Sequence, residues 1–338
     1  MKVSELGEFG LIARLAEAFA RGGQPSSLVI GIGDDAAAWR ASGVQLVTTD
    51  TLIEGTHFSL SHVPWRDLGW NALTVNVSDI AAMGGIPEQA LLTLALPPQT
   101  DVADVDELLA GMLEASSEYG VVTVGGDIVG CDTTMVTVTL IGRALVDERG
   151  EPLLMTRSGA QAGDAIAVTG YLGDSAGGLR ILLGEGAGSV EAAGYLKRAH
   201  LHHRPPLAVG QMAAREGARA AIDVSDGLLQ DLGHVCEASG LGAIVHAQRI
   251  PISPALREAF PQDALALACG GGEDYQLLLA ARPEVIDGVR DKADVPIAVI
   301  GEMVTDRQHR IRLLGEDGRQ LSPLHAGWDH LRGAAWRR

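Results

Sequence analysis

The feature of this chain that most constrains its fold is a pattern that recurs six times: a short apolar run, small residues, then a carboxylate. A buried run that ends in Gly or Ser is typical of a strand that stops at a sheet edge. The six runs lead into Gly33-Asp34-Asp35, Thr48-Thr49-Asp50, Ser78-Asp79, Gly125-Gly126-Asp127, Asp223-Val224-Ser225-Asp226 and Gly270-Gly271-Gly272-Glu273-Asp274. Carboxylates at close range repel each other by about 4 kcal/mol per pair at an effective dielectric of about 20. The pattern therefore predicts an acidic cluster that binds cations, and hard oxygen ligands favour Mg²⁺.

Length, charge and cysteine content bound the class of protein. The chain has 338 residues, which favours two domains, and it is 46% hydrophobic, which is enough for a large core. Its net charge of -17 argues against nucleic acid or an anionic membrane as the main partner. Three cysteines without paired spacing indicate a reducing compartment, so we expect a cytoplasmic protein. We expect neither a signal peptide nor a membrane span, because no apolar stretch approaches about 20 residues.

The order of strand-like and helical segments predicts two domains of mixed structure. The polar segment 146–152 indicates a linker between domains 1–148 and 149–338. Both parts have the pattern of an α+β fold in which helices and sheets form α/β layers. The predicted helices include 9–21, 67–83, 206–216 and 228–239, and the predicted strands include 135–140, 165–169, 243–246, 276–280 and 297–300.

Each acidic motif also has a simpler explanation. The segment Gly31-Ile32-Gly33-Asp34-Asp35-Ala36 has the form of a dinucleotide-binding loop, but two aspartates there would repel a pyrophosphate. A tight turn or a metal site explains it better. Asp79 and Asp226 would serve equally as helix N-caps, and His57 as a structural histidine or a phosphate contact. The three glycines at 270–272 fit a flexible loop or a shaped turn.

Several catalytic chemistries lack their motif in this sequence. It contains no P-loop, no protein-kinase lysine with its catalytic loop, no G-x-S-x-G elbow and no zinc motif of the C-x-x-C or H-E-x-x-H type. Lysine occurs only at Lys2, Lys197 and Lys292. These absences favour an anionic substrate whose phosphates are neutralised by metal ions. In-line phosphoryl transfer fits this description and requires no catalytic nucleophile from the protein.

The motifs, taken together and in order, resemble one known family. They are GEFGLIARL at 7–15, GIGDDA at 31–36, TTDTLIEGTHF at 48–58, NVSDIAAMGG at 76–85, GGD at 125–127, TRSGAQAGD at 156–164, DVSDGL at 223–228, GGGEDY at 270–275 and GWDHL at 327–331. With them the chain resembles the thiamine-monophosphate kinase family, in the superfamily of aminoimidazole ribonucleotide synthetase and selenophosphate synthetase. The resemblance implies a two-domain fold with an N-terminal ATP-binding domain and a C-terminal α/β domain. It also implies transfer of the ATP γ-phosphoryl group to thiamine monophosphate, and a homodimer formed through the N-terminal domains.

The same resemblance implies a role for individual residues. Several Mg²⁺ ions would be held by Asp35, Thr48, Thr49, Asp50, Asp79, Asp127, Asp223 and Asp226. ATP would contact Gly126, Asp127, Arg157 and Ser225, and thiamine monophosphate would contact His57, Glu273 and Trp328. An indole ring and a carboxylate suit a cationic thiazolium. Many relatives carry Tyr at the position of Trp328, so the ring is kept here while the hydroxyl is lost.

Two alternatives remain open from the sequence. One is another ATP-using member of the superfamily. Selenophosphate synthetases usually carry a reactive Cys or selenocysteine in a glycine-rich N-terminal tail, whereas the first cysteine here is Cys131. The other is a non-catalytic module that binds cations or nucleotides. Such a module would have no use for the acid and the aromatic ring at Glu273 and Trp328.

Overall fold

The computed structural model describes residues 1–21, 25–32, 36–306, 308 and 310–322. Asp35 and Trp328, predicted to bind metal and substrate, lie outside the described residues. The described residues form two compact units, the first from Met1–Ile80 and Ile86–Ala144, and the second from Ala81–Gly85 and the described part of Leu145–Gly333. In the part that the structure describes, none of the helices combines the length and the apolar character that crossing a bilayer requires.

Both units contain helices and strands. The α-helices are α1 (Val3–Ala20), α2 (Trp65–Ala82), α3 (Val102–Tyr119), α4 (Asp174–Leu182), α5 (Val190–Leu201), α6 (Leu207–Glu216), α7 (Leu228–Ser239), α8 (Pro254–Ala259), α9 (Ala264–Gly270) and α10 (Pro283–Arg290). The strands are β1 (Leu28–Ile30), β2 (Ala38–Trp39), β3 (Gln45–Ile53), β4 (Ile86–Leu96), β5 (Val122–Gly130), β6 (Met135–Arg143), β7 (Leu145–Val146), β8 (Pro152–Leu153), β9 (Ala165–Thr169), β10 (Ala220–Val224), β11 (Gly242–His246), β12 (Gln276–Ala281), β13 (Ile297–Val304) and β14 (Ile311–Leu314). Helix α1 is kinked at Gly7, whose φ of 73° and ψ of 167° are not helical, so predicted helix 9–21 corresponds to the part after the kink. The turn before the kink is capped by Glu5, which accepts the backbone N–H of Lys2.

The first unit contains a four-stranded sheet in the order β3-β6-β4-β5. Its strands are antiparallel except for the parallel pair β4 and β5. Residues alternate between the two faces of each strand. On one face, Leu92 and Val138 are buried, whereas on the other Val47 and Val129 remain 67% and 47% exposed. One face of this sheet therefore belongs to the core, and the other is largely open.

Two glycines allow helices α2 and α3 of the first unit to cross closely. A Cβ atom on Gly69 would lie 1.8 Å from the carbonyl oxygen of Leu108, and one on Gly111 would lie 1.8 Å from that of Arg66. No side chain fits at such distances, so both positions require glycine.

The second unit contains a six-stranded sheet in the order β10-β12-β9-β13-β11-β14. Its neighbours are antiparallel except for β11 and β14. Side chains alternate between two buried clusters: Ile166 and Val168 of β9 pack with α7 and α8, whereas Ala165 and Ala167 pack with α6 and α10. Because both faces are covered, the strands of this sheet are predominantly apolar.

Two of the six apolar runs are not strands, so this part of the prediction was wrong. Run 75–77 lies inside α2, which confirms predicted helix 67–83, and run 267–269 lies inside α9. Both segments are largely buried, and periodicity cannot separate a short buried helix segment from a buried strand. The segment predicted as a linker instead closes the β7–β8 hairpin, where the Asp147 carboxylate accepts the N–H groups of Arg149 and Glu151 at 2.8 and 2.9 Å.

Candidate functional site

In the first unit, the acidic motifs bring two carboxylates together. Asp50 lies in β3, and Asp79 lies near the end of α2. The Thr48 hydroxyl donates a hydrogen bond to the Asp79 carboxylate. Burial and the negative charge of Asp79, with which Asp50 shares a hydrogen bond, raise the pKa of Asp50 to about 6. The two side chains are therefore held close against their own repulsion.

Thr49 points away from this pair. Its hydroxyl contacts the Val138 carbonyl oxygen at 3.2 Å and the Thr139 hydroxyl at 3.0 Å. Thr51, two residues on, similarly contacts Thr137 at 2.8 Å. Since alternate residues of a strand face opposite sides, Thr48 and Asp50 share one face and Thr49 the other. The metal role of Thr49 stays a prediction.

Gly126 and Asp127 lie on the far edge of the same sheet. Asp50 is opposite Val138, Val138 opposite Leu92, and Leu92 opposite Gly126. Three strand spacings separate Asp50 from Gly126, or about 14 Å at roughly 4.8 Å each. Asp50 and Asp127 therefore do not hold the same ion within one chain. A Cβ atom on Gly126 would lie 1.8 Å from the Leu92 carbonyl oxygen, so this position requires glycine.

His57 follows β3 in a short turn. Its Nδ1 atom accepts the backbone N–H of Ile53 at 3.1 Å. A ring nitrogen that accepts a hydrogen bond carries no proton, so in the neutral ring the proton is on Nε2. The backbone thus fixes the tautomer that presents Nε2–H as a donor.

In the second unit, two acidic loops are bonded to each other. Ser225 and Asp226 follow β10, and Glu273 belongs to the glycine-rich loop before β12. The Glu273 N–H donates to the Ser225 carbonyl oxygen at 2.7 Å, and the Tyr275 N–H donates to that of Val224 at 2.9 Å. Glycines make this approach possible, because a Cβ atom on Gly272 would lie 2.6 Å from the Ser225 carbonyl oxygen. The structure therefore brings Ser225, Asp226 and Glu273 together.

Asp223, the remaining acidic residue of the DVSDGL motif, lies within β10 rather than after it. It is opposite Leu277 of β12, and its side chain is buried. Its neighbours Ile222 and Val224 belong to the α7 side of the sheet, so Asp223 faces the α6 side. Its predicted metal role stays a prediction.

A buried carboxylate that the sequence analysis did not single out holds the Ser225 loop. One oxygen of Asp231, in the first turn of α7, accepts the N–H groups of Ser225, Asp226 and Gly227, each at 3.1 Å. Burial raises the pKa of Asp231 to about 7, although the three N–H groups favour its ionised form. The position of an acid in the first turn of a helix after S-D-G was the available sequence signal.

The Glu273 carboxyl is placed beside His200, a second residue that the sequence analysis missed. His200 Nδ1 lies 3.0 Å from the Ser175 hydroxyl oxygen and 3.6 Å from Glu273 Oε2. Burial lowers the pKa of His200 to about 4, so the ring is neutral near pH 7. Burial, and then the charge of Asp226, raise the pKa of Glu273 to about 7. A nearby cation would therefore favour ionisation of Glu273.

Asp274, next to Glu273, has a different use. Its two carboxylate oxygens accept the N–H groups of Gly173 at 2.6 Å and Ser175 at 3.1 Å, which caps the start of α4. Burial raises its pKa to about 8. Glu273 and Tyr275, on either side, have positive φ angles of 66° and 49°. The loop is thus held in a conformation that L-residues rarely adopt.

Arg157, predicted to contact ATP, lies on the surface of the second unit. Its carbonyl oxygen accepts the Ser239 hydroxyl at 2.8 Å, and the N–H of neighbouring Thr156 donates to the Arg219 carbonyl oxygen at 2.9 Å. The backbone of the turn is fixed, while the guanidinium is exposed. An exposed guanidinium on a fixed turn suits a phosphate ligand.

The residues around Asp50 fit a magnesium ion. Mg²⁺ keeps several waters and uses one or two protein carboxylates together with substrate phosphates. Asp50 and Asp79 supply the carboxylates, and burial together with the negative charge of Asp79 raises the pKa of Asp50. Among the described residues, no three His, Cys, Asp or Glu side chains form a complete cage. The donor set thus suits an ion that phosphates also bind.

Comparison with known families gives matches along most of the chain. Residues 33–144 match the model of the AIR synthase related protein, N-terminal domain, and residues 161–313 match its C-terminal domain. These matches confirm the predicted fold class, a two-domain α+β fold of the aminoimidazole ribonucleotide synthetase type.

Individual relatives are similar over nearly their whole length. The thiamine-monophosphate kinase of Escherichia coli (strain K12) is 38% identical over 96% of this chain and 98% of its own. The crystal structure of thiamine-monophosphate kinase from Stenotrophomonas maltophilia K279a is 32% identical, with a TM-score of 0.79 over 92% of this chain and 96% of its own. The structure of AaThiL complexed with AMPPCP and TMP is 31% identical, with a TM-score of 0.74 over 97% of this chain and 98% of its own.

Proposed function

We propose that this chain, which belongs to the thiamine-monophosphate kinase family, phosphorylates thiamine monophosphate with ATP and forms thiamine diphosphate. The family resemblance drawn from the motifs is confirmed by identities of 34% to 40% over most of the chain. The solved structure of AaThiL is complexed with AMPPCP and TMP, which supports the use of ATP and thiamine monophosphate as the two substrates. The chain is therefore an enzyme of thiamine diphosphate biosynthesis, and the proposal extends to how its residues act.

The observation that carries the proposal is the pair Asp50 and Asp79, with Thr48 bonded to Asp79. Asp50 and Asp79 would hold a Mg²⁺ ion together with waters and substrate phosphates, and Thr48 orients Asp79. When bound, Mg²⁺ would neutralise the negative charge that phosphate oxygens carry during transfer. The terminal phosphate oxygen of thiamine monophosphate attacks the γ-phosphorus of ATP in line, the bond from that phosphorus to the β,γ-bridging oxygen breaks, and ADP leaves.

For the nucleotide, we propose contacts with Arg157, Ser225 and Gly126. Arg157 presents an exposed guanidinium, which pairs with phosphate in a fork. Ser225 and Asp226 come from the loop held by Asp231, and Gly126 leaves the backbone of β5 accessible. Asp127 and Asp223 remain proposed metal ligands for further ions.

For thiamine monophosphate, we propose that His57 and Glu273 make the principal described contacts. The fixed tautomer of His57 gives an Nε2–H donor for the phosphate. The Glu273 carboxyl would ionise when the thiazolium cation approaches, because the cation offsets burial and the charge of Asp226. Trp328, outside the described residues, stays a prediction.

We also propose a homodimer and a cytoplasmic location. The open face of the β3-β6-β4-β5 sheet carries exposed Val47 and Val129 beside threonines, a mixed surface suited to a second copy. The free cysteines Cys131, Cys236 and Cys269 fit a reducing compartment.

The decisive assay incubates the purified chain with ATP, Mg²⁺ and thiamine monophosphate. We expect thiamine diphosphate and ADP in equal amounts, and no product when Mg²⁺ is chelated. Replacing thiamine monophosphate with thiamine tests whether the existing phosphate is the acceptor. Absence of thiamine diphosphate at saturating substrates and metal, or ATP consumption with a phosphorylated product other than thiamine diphosphate, would overturn the proposal.

A further inference from the structure

The loop that carries Ser225 and Asp226 is held from one side by a single buried atom. Asp231 Oδ2 accepts three consecutive backbone N–H groups, those of residues 225, 226 and 227. The Asp231 side chain is only 2% exposed, so water does not replace these bonds easily. Three donors that converge on one oxygen leave the loop little freedom to rotate its peptide units.

The same loop is held from the other side by the glycine-rich loop. The Ser225 carbonyl oxygen accepts the Glu273 N–H at 2.7 Å, so the peptide groups flanking Ser225 are bonded on both sides. Gly227, with a φ of 116°, lies so close to Gly270 that a Cβ atom would be 2.9 Å from the Gly270 carbonyl carbon. The backbone of residues 225–227 is therefore fixed, and the Ser225 and Asp226 side chains extend from it.

The Glu273 loop does not depend on Asp231 in the same way. It is anchored to β10 by the bond from the Tyr275 N–H to the Val224 carbonyl oxygen, and to α4 by the Asp274 carboxylate. Loss of Asp231 would therefore release residues 225–227 first and leave Glu273 with two other anchors.

We infer that Asp231 is a positioning residue for the reaction: it orients Ser225 and Asp226 towards magnesium-bound nucleotide without contacting either ligand. This inference rests on the proposed function, and it adds a residue to which no ligand role is assigned. Asp231 acts on the nucleotide side, while Asp274 acts on the side of thiamine monophosphate. Substitutions of Asp231 and of Asp274 should therefore affect the binding of the two substrates separately.

The test compares Asp231→Ala with Asp231→Asn, which keeps an oxygen acceptor but loses the charge. In Asp231→Ala, we expect the KM for ATP and the half-saturating Mg²⁺ concentration to rise on the order of 10- to 100-fold, as for loss of hydrogen bonds to a charged group. The KM for thiamine monophosphate should change less than about 3-fold, and Asp231→Asn should be intermediate. Asp274→Ala should show the reverse split.

Asp147→Ala is the control for removing a carboxylate that accepts backbone N–H groups far from both loops. It should leave all three constants near those of the wild type.

A ligand-free measurement separates this inference from the proposed function: hydrogen exchange of the amides of 225–227 should accelerate in Asp231→Ala and Asp231→Asn but not in Asp147→Ala. Exchange that is unchanged in both Asp231 variants would overturn the inference, as would equal shifts in all three constants. Lack of wild-type turnover would overturn the proposed function and leave the exchange result to decide on Asp231.

Discussion

The two units use the same sequence pattern, a carboxylate after an apolar run, for opposite purposes. In the first, Asp50 and Asp79 are held together, and the nearby donor is the hydroxyl of Thr48. In the second, Asp274 is saturated by backbone N–H groups, and the Ser225 loop ends in the same kind of bond to Asp231. In the first arrangement the two carboxylates lie against each other, whereas in the second each carboxylate accepts backbone N–H groups. The same acidic sequence pattern therefore builds a candidate metal site in one unit and holds loops in the other.

The largest expected effect is that of Asp50→Asn, which should lower activity and at the same time raise stability. Loss of one anionic ligand should lower kcat/KM on the order of 1,000-fold, since metal stabilisation of the transition state is worth several kcal/mol. The repulsion from Asp79 also disappears. The melting temperature without Mg²⁺ should therefore rise by about 2–4 °C, the effect of roughly 1 kcal/mol in a domain of 150–250 residues. Turnover assays and thermal scans check this, and a lower melting temperature would contradict it.

The second prediction concerns acid stability of the other unit. The pKa of His200 is about 4 in the folded chain against 6.5 in the unfolded one. The unfolded chain binds this proton first, so folding stability falls as pH decreases below 6.5, by roughly 3 kcal/mol at pH 4. His200→Gln should lack this loss. Urea unfolding at pH 7 and at pH 4 measures the difference between variant and wild type, and a gap that does not change with pH would refute the assignment.

Asp274→Ala should destabilise the protein through α4. Removing the carboxylate leaves the N–H groups of Gly173 and Ser175 without their acceptor, which costs about 2 kcal/mol. The loss of stability in Asp274→Ala should be similar with and without Mg²⁺, whereas the effect of Asp50→Asn depends on the ion. Urea unfolding under both conditions checks this, and a loss that appears only with Mg²⁺ would place Asp274 among the metal ligands instead.

The smallest expected effect is that of Thr48→Val. It removes the hydroxyl that orients Asp79 and should raise the half-saturating Mg²⁺ concentration about 10-fold, as for other residues that orient a ligand. Thr51→Val is the matched control, because Thr51 lies on the opposite face and bonds to Thr137. Equal shifts in the two variants would show that strand packing, rather than Asp79, is responsible.

Much of the fold followed from periodicity. The pattern predicted β9 at 165–169 and α7 at 228–239 with their observed bounds. The pattern predicted the wrong structure for 267–269, where the chain forms α9, because a short apolar segment fits a buried helix as well as a buried strand. The order of the strands in the two sheets could not be predicted, because strand pairing depends on contacts between distant parts of the sequence.

The candidate site was predictable in its residue types and less so in its geometry. The motifs named Asp50 and Asp79, and the structure places them together. The opposite direction of the Thr49 side chain was missed because the strand was expected to end before Thr48, whereas β3 continues to Ile53 and its alternation separates Thr49 from Thr48 and Asp50. His200 was missed because its value lies in a contact with Glu273, 73 residues away in the sequence.

The left-handed backbone at Glu273 and Tyr275 has a consequence for anyone who engineers this chain for heat resistance. Each residue is held in a conformation that costs about 1 kcal/mol or more for an L-residue, so glycine there would relax the backbone. Substitutions selected only for thermal stability would therefore tend to replace Glu273, the residue proposed to bind thiamine monophosphate. Stability and substrate binding would thus conflict in this loop.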